Sequence, residues 1–122
     1  MPRPKKLARN DREWKALLRS DDKNLVRTMN DWEKLHASDD NPLNGINTKI
    51  VSRFTKTLKF KNGGLAHADF SMLVDVVPFS KFRTIWEHFG MSLELFADHE
   101  GYYCAGQGDC SSMNNHICTS NC

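Results

Sequence analysis

The sequence predicts an α+β fold: N-terminal helices, a mostly antiparallel sheet of about four strands with one further helix, and a cross-linked, Cys-rich C-terminal tail. Three observations point there. Apolar residues recur at helical spacing in the first half and alternate in much of the second. Helical segments precede strands, the segregation typical of α+β domains. All four cysteines lie beyond residue 103. With 122 residues, 39% of them hydrophobic and 26% charged, the chain has the composition of an ordinary globular domain, not of a disordered segment. The expected division is a flexible basic arm over 1–10, an α+β domain over 11–103 and a stapled tail over 104–122.

The arm contains Pro2 and Pro4, which oppose a helix. A helix is expected from Asn10 or Asp11, both good N-caps, with Trp14, Leu17 and Leu18 on one face. A second is expected over about 22–37, burying Leu25, Met29, Trp32 and Leu35 or His36, and ending before Pro42. Ile46, Ile50, Phe54 and Leu58 recur every fourth residue. That third helix is expected to end near Phe54, because Thr57 to Lys61 alternates and Asn62-Gly63 is a strong hairpin signal. The return strand is expected over 66–77, with Phe70, Met72, Val74 and Val76 on one face. A helix capped by Ser80 buries Phe82, Ile85, Trp86 and Phe89, and Gly90 suits its C-terminal αL position. Met91 to Ala97 alternates and reads as a strand, Asp98 to Gly101 as a turn, and Tyr102 as the start of a last strand. The expected core is Leu25, Met29, Trp32, Phe70, Met72, Val74, Phe82, Ile85, Trp86, Leu93 and Leu95.

Charge is lopsided. Residues 1–62 hold 15 Lys and Arg against 8 Asp and Glu, whereas residues 63–122 hold 2 against 7. A basic half of this kind suits an anionic partner, because clustered cations release counterions on meeting phosphates. The candidate nucleic-acid-binding residues are Arg3, Lys5, Lys6 and Arg9 in the arm and Lys49 and Arg53 on the third helix. Trp14, Trp32, Phe54 and Trp86 occupy core positions, so no stacking platform for bases is expected.

The tail runs C-x5-C-x7-C-x3-C. Cys104, Cys110, Cys118 and Cys122, with His116, are candidate zinc ligands, and two disulfides among the four cysteines are the alternative. No apolar stretch follows the basic start, so no secretory leader is expected and an intracellular location, cytoplasmic or nuclear, is. That tilts the choice towards zinc, since disulfides persist in oxidising compartments. Either cross-link would be needed, because Met113 and Ile117 are the only sizeable apolar side chains between Cys104 and Cys122. Asp98, His99, Asn114, Asn115 and His116 are residue types found in HNH-type nucleases. Those enzymes place an asparagine well before the last histidine, however, and Asn115 adjoins His116, so no role is carried over. The expectation is a small non-enzymatic protein that contacts an anionic partner, nucleic acid above all. The alternatives are a protein-binding inhibitor or adaptor, and a secreted disulfide-stabilised protein. No membrane span is expected, since no run approaches ~18 apolar residues.

Overall fold

The computed structural model describes residues 2–122, so the first residue of the arm expected over 1–10 lies outside the described residues. Asn10 Oδ1 accepts the Glu13 amide at 2.9 Å and starts α1 (Asp11–Arg19), which buries Trp14 and Leu17. Arg27 closes the other end of that helix, donating to Leu18 O at 2.6 Å and Ser20 O at 2.7 Å. The next helix, α2 (Met29–His36), is shorter than the 22–37 expected. Asp22 Oδ1 accepts the Asn24 amide, a local turn, and only Thr28 supplies the helical cap by accepting from Asp31 N. α3 (Thr48–Thr57) runs three residues past Phe54 before β1 (Lys59–Lys61) begins. Asn62 and Gly63 have φ of +56° and +81°, so the tight turn into β2 (Gly64–Asp69) is the one that Asn-Gly favours.

One expected strand is cut short and another is absent among the described residues. β2 stops at Asp69, because its Oδ1 accepts the Ser71 amide and bends the chain into a 3₁₀ turn over Ser71–Leu73. Phe70 and Leu73 are buried there, while Val74 and Val76 are about half exposed. α4 (Phe79–His88) starts directly after Pro78, without a hydrogen bond from Ser80 as cap. Gly90 follows it with φ +100°, as its position required. The second miss is Met91 to Ala97. Ser92 Oγ accepts the Leu95 amide and opens α5 (Leu93–His99), which buries Leu95 and Phe96 and leaves Leu93 exposed.

The four-stranded antiparallel sheet has the order β1-β2-β4-β3, where β3 is Glu100–Gly106 and β4 is Asp109–Cys118. The expected antiparallel sheet is thus present, but its interior strand β4 comes from the tail. The core is aromatic. Trp32 stacks on Phe89 with ring centroids 5.4 Å apart, and Trp86 stacks on Phe96 at 4.8 Å. Phe54, Phe70 and Phe82 meet Trp86 edge-on. Leu25, Trp32, Phe70, Ile85, Trp86 and Leu95 belong to this core as expected, with Met29, Met72 and Phe82 packed at its edge.

The N-terminal stretch is docked. Ala8 is buried and bridges Met91 in parallel, its N donating to Gly90 O at 2.8 Å and its O accepting from Ser92 N at 3.0 Å. The C-terminal turn is fixed to α1, β1 and β2. Trp14 Nε1 donates to Asn121 Oδ1 at 3.2 Å, Asn121 Nδ2 to Lys61 O at 2.9 Å, and Thr119 Oγ1 to Leu65 O at 2.6 Å.

Candidate functional site

Two constellations carry the candidate residues, and the first is basic. α3 exposes Lys49, Ser52, Arg53 and Lys56 along one side because Val51 and Phe54 turn into the core. Residues at i and i+4 on a helix lie ~5–6 Å apart, so the cations form a stripe. Lys59 and Lys61 continue it, exposed on β1. From Asn41 to Ala68 there is no Asp or Glu. Among the described residues, none of Lys49, Arg53, Lys56, Lys59 and Lys61 forms an ion pair. Beside the stripe, Trp32, His36, Asn41, Ser52, Thr55 and Lys56 help line an open groove of about 580 Å³ between α2 and α3. Its floor is fixed by the hydrogen bond from Trp32 Nε1 to Thr55 Oγ1, 3.1 Å.

The arm cations are differently employed. Arg3 Nη1 lies 2.7 Å from Glu87 Oε1, and Arg83 Nε 3.5 Å from Glu87 Oε2. The Glu87 side chain is only 6% exposed, so these guanidinia compensate a carboxylate withdrawn from water. Arg9 makes three hydrogen bonds to the Glu13 carboxylate, one through its backbone amide, and holds that carboxyl below its usual range. The Lys5 amide donates to Asp22 Oδ2 at 3.1 Å, and Lys6 is exposed. The structure therefore separates Lys49 and Arg53, which are unpaired on α3, from Arg3 and Arg9, which are bound to acids elsewhere. Sequence reasoning left out Lys56 by ending the helix at Phe54, and Lys59 and Lys61 by treating their strand as a separate element. The unbroken run without an acid from Asn41 to Ala68 was the signal that would have retained them.

The second constellation is the cysteine cluster. Disulfides join Cys104 to Cys122 and Cys110 to Cys118, with Cα separations of 5.8 and 5.9 Å. The sequence favoured zinc; the four cysteines instead take the disulfide alternative. A sulfur in a disulfide is no thiolate, so in this arrangement none of the four is a zinc ligand. Cys110 and Cys118 are eight positions apart on one strand, which fully extended would separate them by about 26 Å. β4 therefore doubles back. The bend falls at Met113 to Asn115, between the pairs Tyr102↔Ser112 and Asp69↔His116, where Asn115 adopts φ +62°. The curl carries the hairpin tip to the C-terminal turn, where Cys122 Sγ lies 3.1 Å from Gly106 O.

His116 stands apart from the sulfurs. Its Nε2 lies 3.5 Å from Asp69 Oδ2, its Nδ1 2.9 Å from Asn114 O, and its ring 5.5 Å from that of His67. Burial, reinforced by the neighbouring His116, pushes the His67 pKa down. His99 Nε2, at the end of α5, is 2.8 Å from Asp11 Oδ1, so His99 and His116 have different carboxylate partners. No helix among the described residues is long and apolar enough to cross a membrane. No protein-family model, curated protein or solved structure matches the chain.

Proposed function

We propose that this is a non-enzymatic binding protein whose α3–β1 face holds an anionic partner, nucleic acid being the partner class. One observation carries the reading: five exposed cations between Lys49 and Lys61, in a span without any acid, have no ion pair among the described residues. A cation satisfied by a carboxylate has little to gain from a phosphate, whereas Lys49, Arg53, Lys56 and Lys59 have much to gain and Lys61 reaches only Cys122 O, at 3.4 Å. The contact is to the backbone and not to bases, since Trp32, Phe54 and Trp86 are buried and the exposed aromatics, Phe79 and Tyr102, belong to α4 and β3 and not to α3 or β1.

Fluorescence anisotropy with labelled duplex and single-stranded oligonucleotides tests the proposal. The expected affinity is ~10⁻⁴ to 10⁻⁶ M near physiological salt, with a slope of about −3 to −4 in log K against log salt if some four phosphates are contacted. Lys49→Glu with Arg53→Glu should abolish binding, and Arg9→Ala should leave it intact. Absence of binding to either oligonucleotide at about 50 mM salt would overturn the reading.

A second reading, a protein-binding module, is favoured by a different surface. Val74, Val76 and Phe79 are exposed within six residues, Phe79 at 64%. Such a patch is typical of contact surfaces. Concentration-dependent association with a partner that Phe79→Ser weakens, and salt does not, would favour this reading over the first.

A further inference from the structure

The two disulfides are not separate staples. The Sγ atoms of Cys104, Cys118 and Cys122 all lie within 4.8 Å of one another, and Cys110 Sγ is bonded to that of Cys118. Three sulfurs therefore share one small volume, and Cys110 Sγ stands beside it, bonded to one of the three. Two of the four come from opposite strands of one hairpin, since Cys104 pairs directly with Cys110 across β3 and β4. The other two flank the C-terminal turn. A tetrahedral zinc–thiolate centre has Zn–S distances of about 2.3 Å, which sets its S···S separations at roughly 3.8 Å. Opening a disulfide to that spacing moves each sulfur by only about 1 Å.

We propose that on reduction this cluster becomes a four-thiolate zinc site formed by Cys104, Cys110, Cys118 and Cys122, without His116. Each disulfide takes up two electrons and two protons to give two thiols. Two equivalents of a dithiol reductant supply them and are oxidised to their own disulfides. The attacking thiolate reaches Cys110, which is exposed, or Cys104, which is half-buried, and expels the buried sulfur of Cys118 or Cys122. Zn²⁺ then replaces four thiol protons, which pass to solvent, and leaves a centre of net charge −2. Lys61 Nζ, 3.4 Å from Cys122 O, brings a cation to the same corner. Metal binding in the reduced chain would hold the curl that the disulfides hold in the oxidised one. In a reducing compartment, where free thiols are the stable form, the tail keeps a fastening.

The test uses the full chain, reduced with excess dithiol, freed of reductant without air and titrated with Co²⁺ as a spectroscopic stand-in for zinc. One Co²⁺ per chain is expected, with intense tetrahedral d–d bands and thiolate charge-transfer absorption. Zn²⁺ should displace it, and the oxidised chain should give no such spectrum. Each single Cys→Ser variant should lose one thiolate's share of the charge-transfer intensity, and His116→Ala should lose none. A weak octahedral spectrum from reduced wild type overturns the proposal, whether or not the chain has loosened, because the metal itself is held to gather the four thiolates. So does a tetrahedral spectrum that persists in the Cys104→Ser/Cys122→Ser double variant, or one that the oxidised chain gives equally.

Discussion

Around Trp86, the rings of Phe54, Phe70, Phe82, Phe89 and Phe96 all have centroids within 6.2 Å of its own. Along β3 and β4 up to His116, by contrast, every residue is exposed or only partly buried. One region is held by excluding water from aromatic surface, the other by strand pairing and two covalent bridges. They should therefore fail under different insults. Cavities and buried charge threaten the first. Reductant threatens the second.

The largest effect separates them most sharply. Trp32→Ala removes a ring stacked on Phe89 and edge-on to Phe54, and should cost ~3–5 kcal/mol in denaturant unfolding. A loss under ~1 kcal/mol would make α2 peripheral. Replacing either cysteine pair by serine should cost ~2–4 kcal/mol. In metal-free protein, amide exchange should then quicken across 100–118 while the amides of α4 stay protected. Equal loss in both regions would mean that they unfold as one unit, and the comparison would fall.

Gly90→Ala probes how tightly the aromatic region is packed. A Cβ there would lie 2.6 Å from both Leu17 Cδ2 and Leu25 Cδ1, at a φ of +100°. The expected cost is ~1–3 kcal/mol, read from the denaturation midpoint. Gly101→Ala, with φ of +89° and nothing within 4 Å, isolates the backbone part of that cost and should be milder.

The smallest probe is a slope with pH. His88 is buried, and burial, with Arg3 adding in the same sense, outweighs the carboxylates of Asp40 and Glu87 and pushes its pKa down to about 4. The unfolded chain, with a histidine near 6.5, binds the proton more readily. Stability is thus full above about pH 6.5 and should fall as pH drops towards about 4, by at most ~1.4 kcal/mol per pH unit. His67 shifts in the same direction, so His88→Phe should flatten the curve without abolishing its slope. An unchanged slope in that variant would remove His88 from the account.

Features set by a few adjacent residues were legible in the sequence. The Asn10 cap, the Asn62-Gly63 turn and the glycine after α4 all follow from local backbone preference. Alternation alone overstates the strands: the segment after Asp69 turns away from β2, and Leu93 to Ala97 is helical. Asp69 and Ser92 each carry a side-chain oxygen that captures a nearby amide, and each capture redirects the chain. Asp-x-Ser and a serine three residues before Leu95 were visible signals of that. The place of β4 between β2 and β3 was not legible, because His67↔Cys118 and its neighbouring pairs join distant segments. Of the candidate site, the α3 cations were readable from spacing. The employment of Arg3 on Glu87 was not, since it depends on a partner 84 positions away.

The bond from Trp14 to Asn121 spans 107 positions, and that distance has a kinetic meaning. As the chain emerges from the ribosome, α1 is made early, yet the acceptor for its indole follows 107 positions later. Ile117 and Thr119, which complete the sheet beside β2, appear only just before it. During synthesis the aromatic surfaces of α1 to α4 therefore wait without their lid, and loop closure over so long a separation is slow. Until β4 is free of the ribosome those surfaces stay exposed, and truncation before β4 should yield an aggregating species rather than a smaller domain.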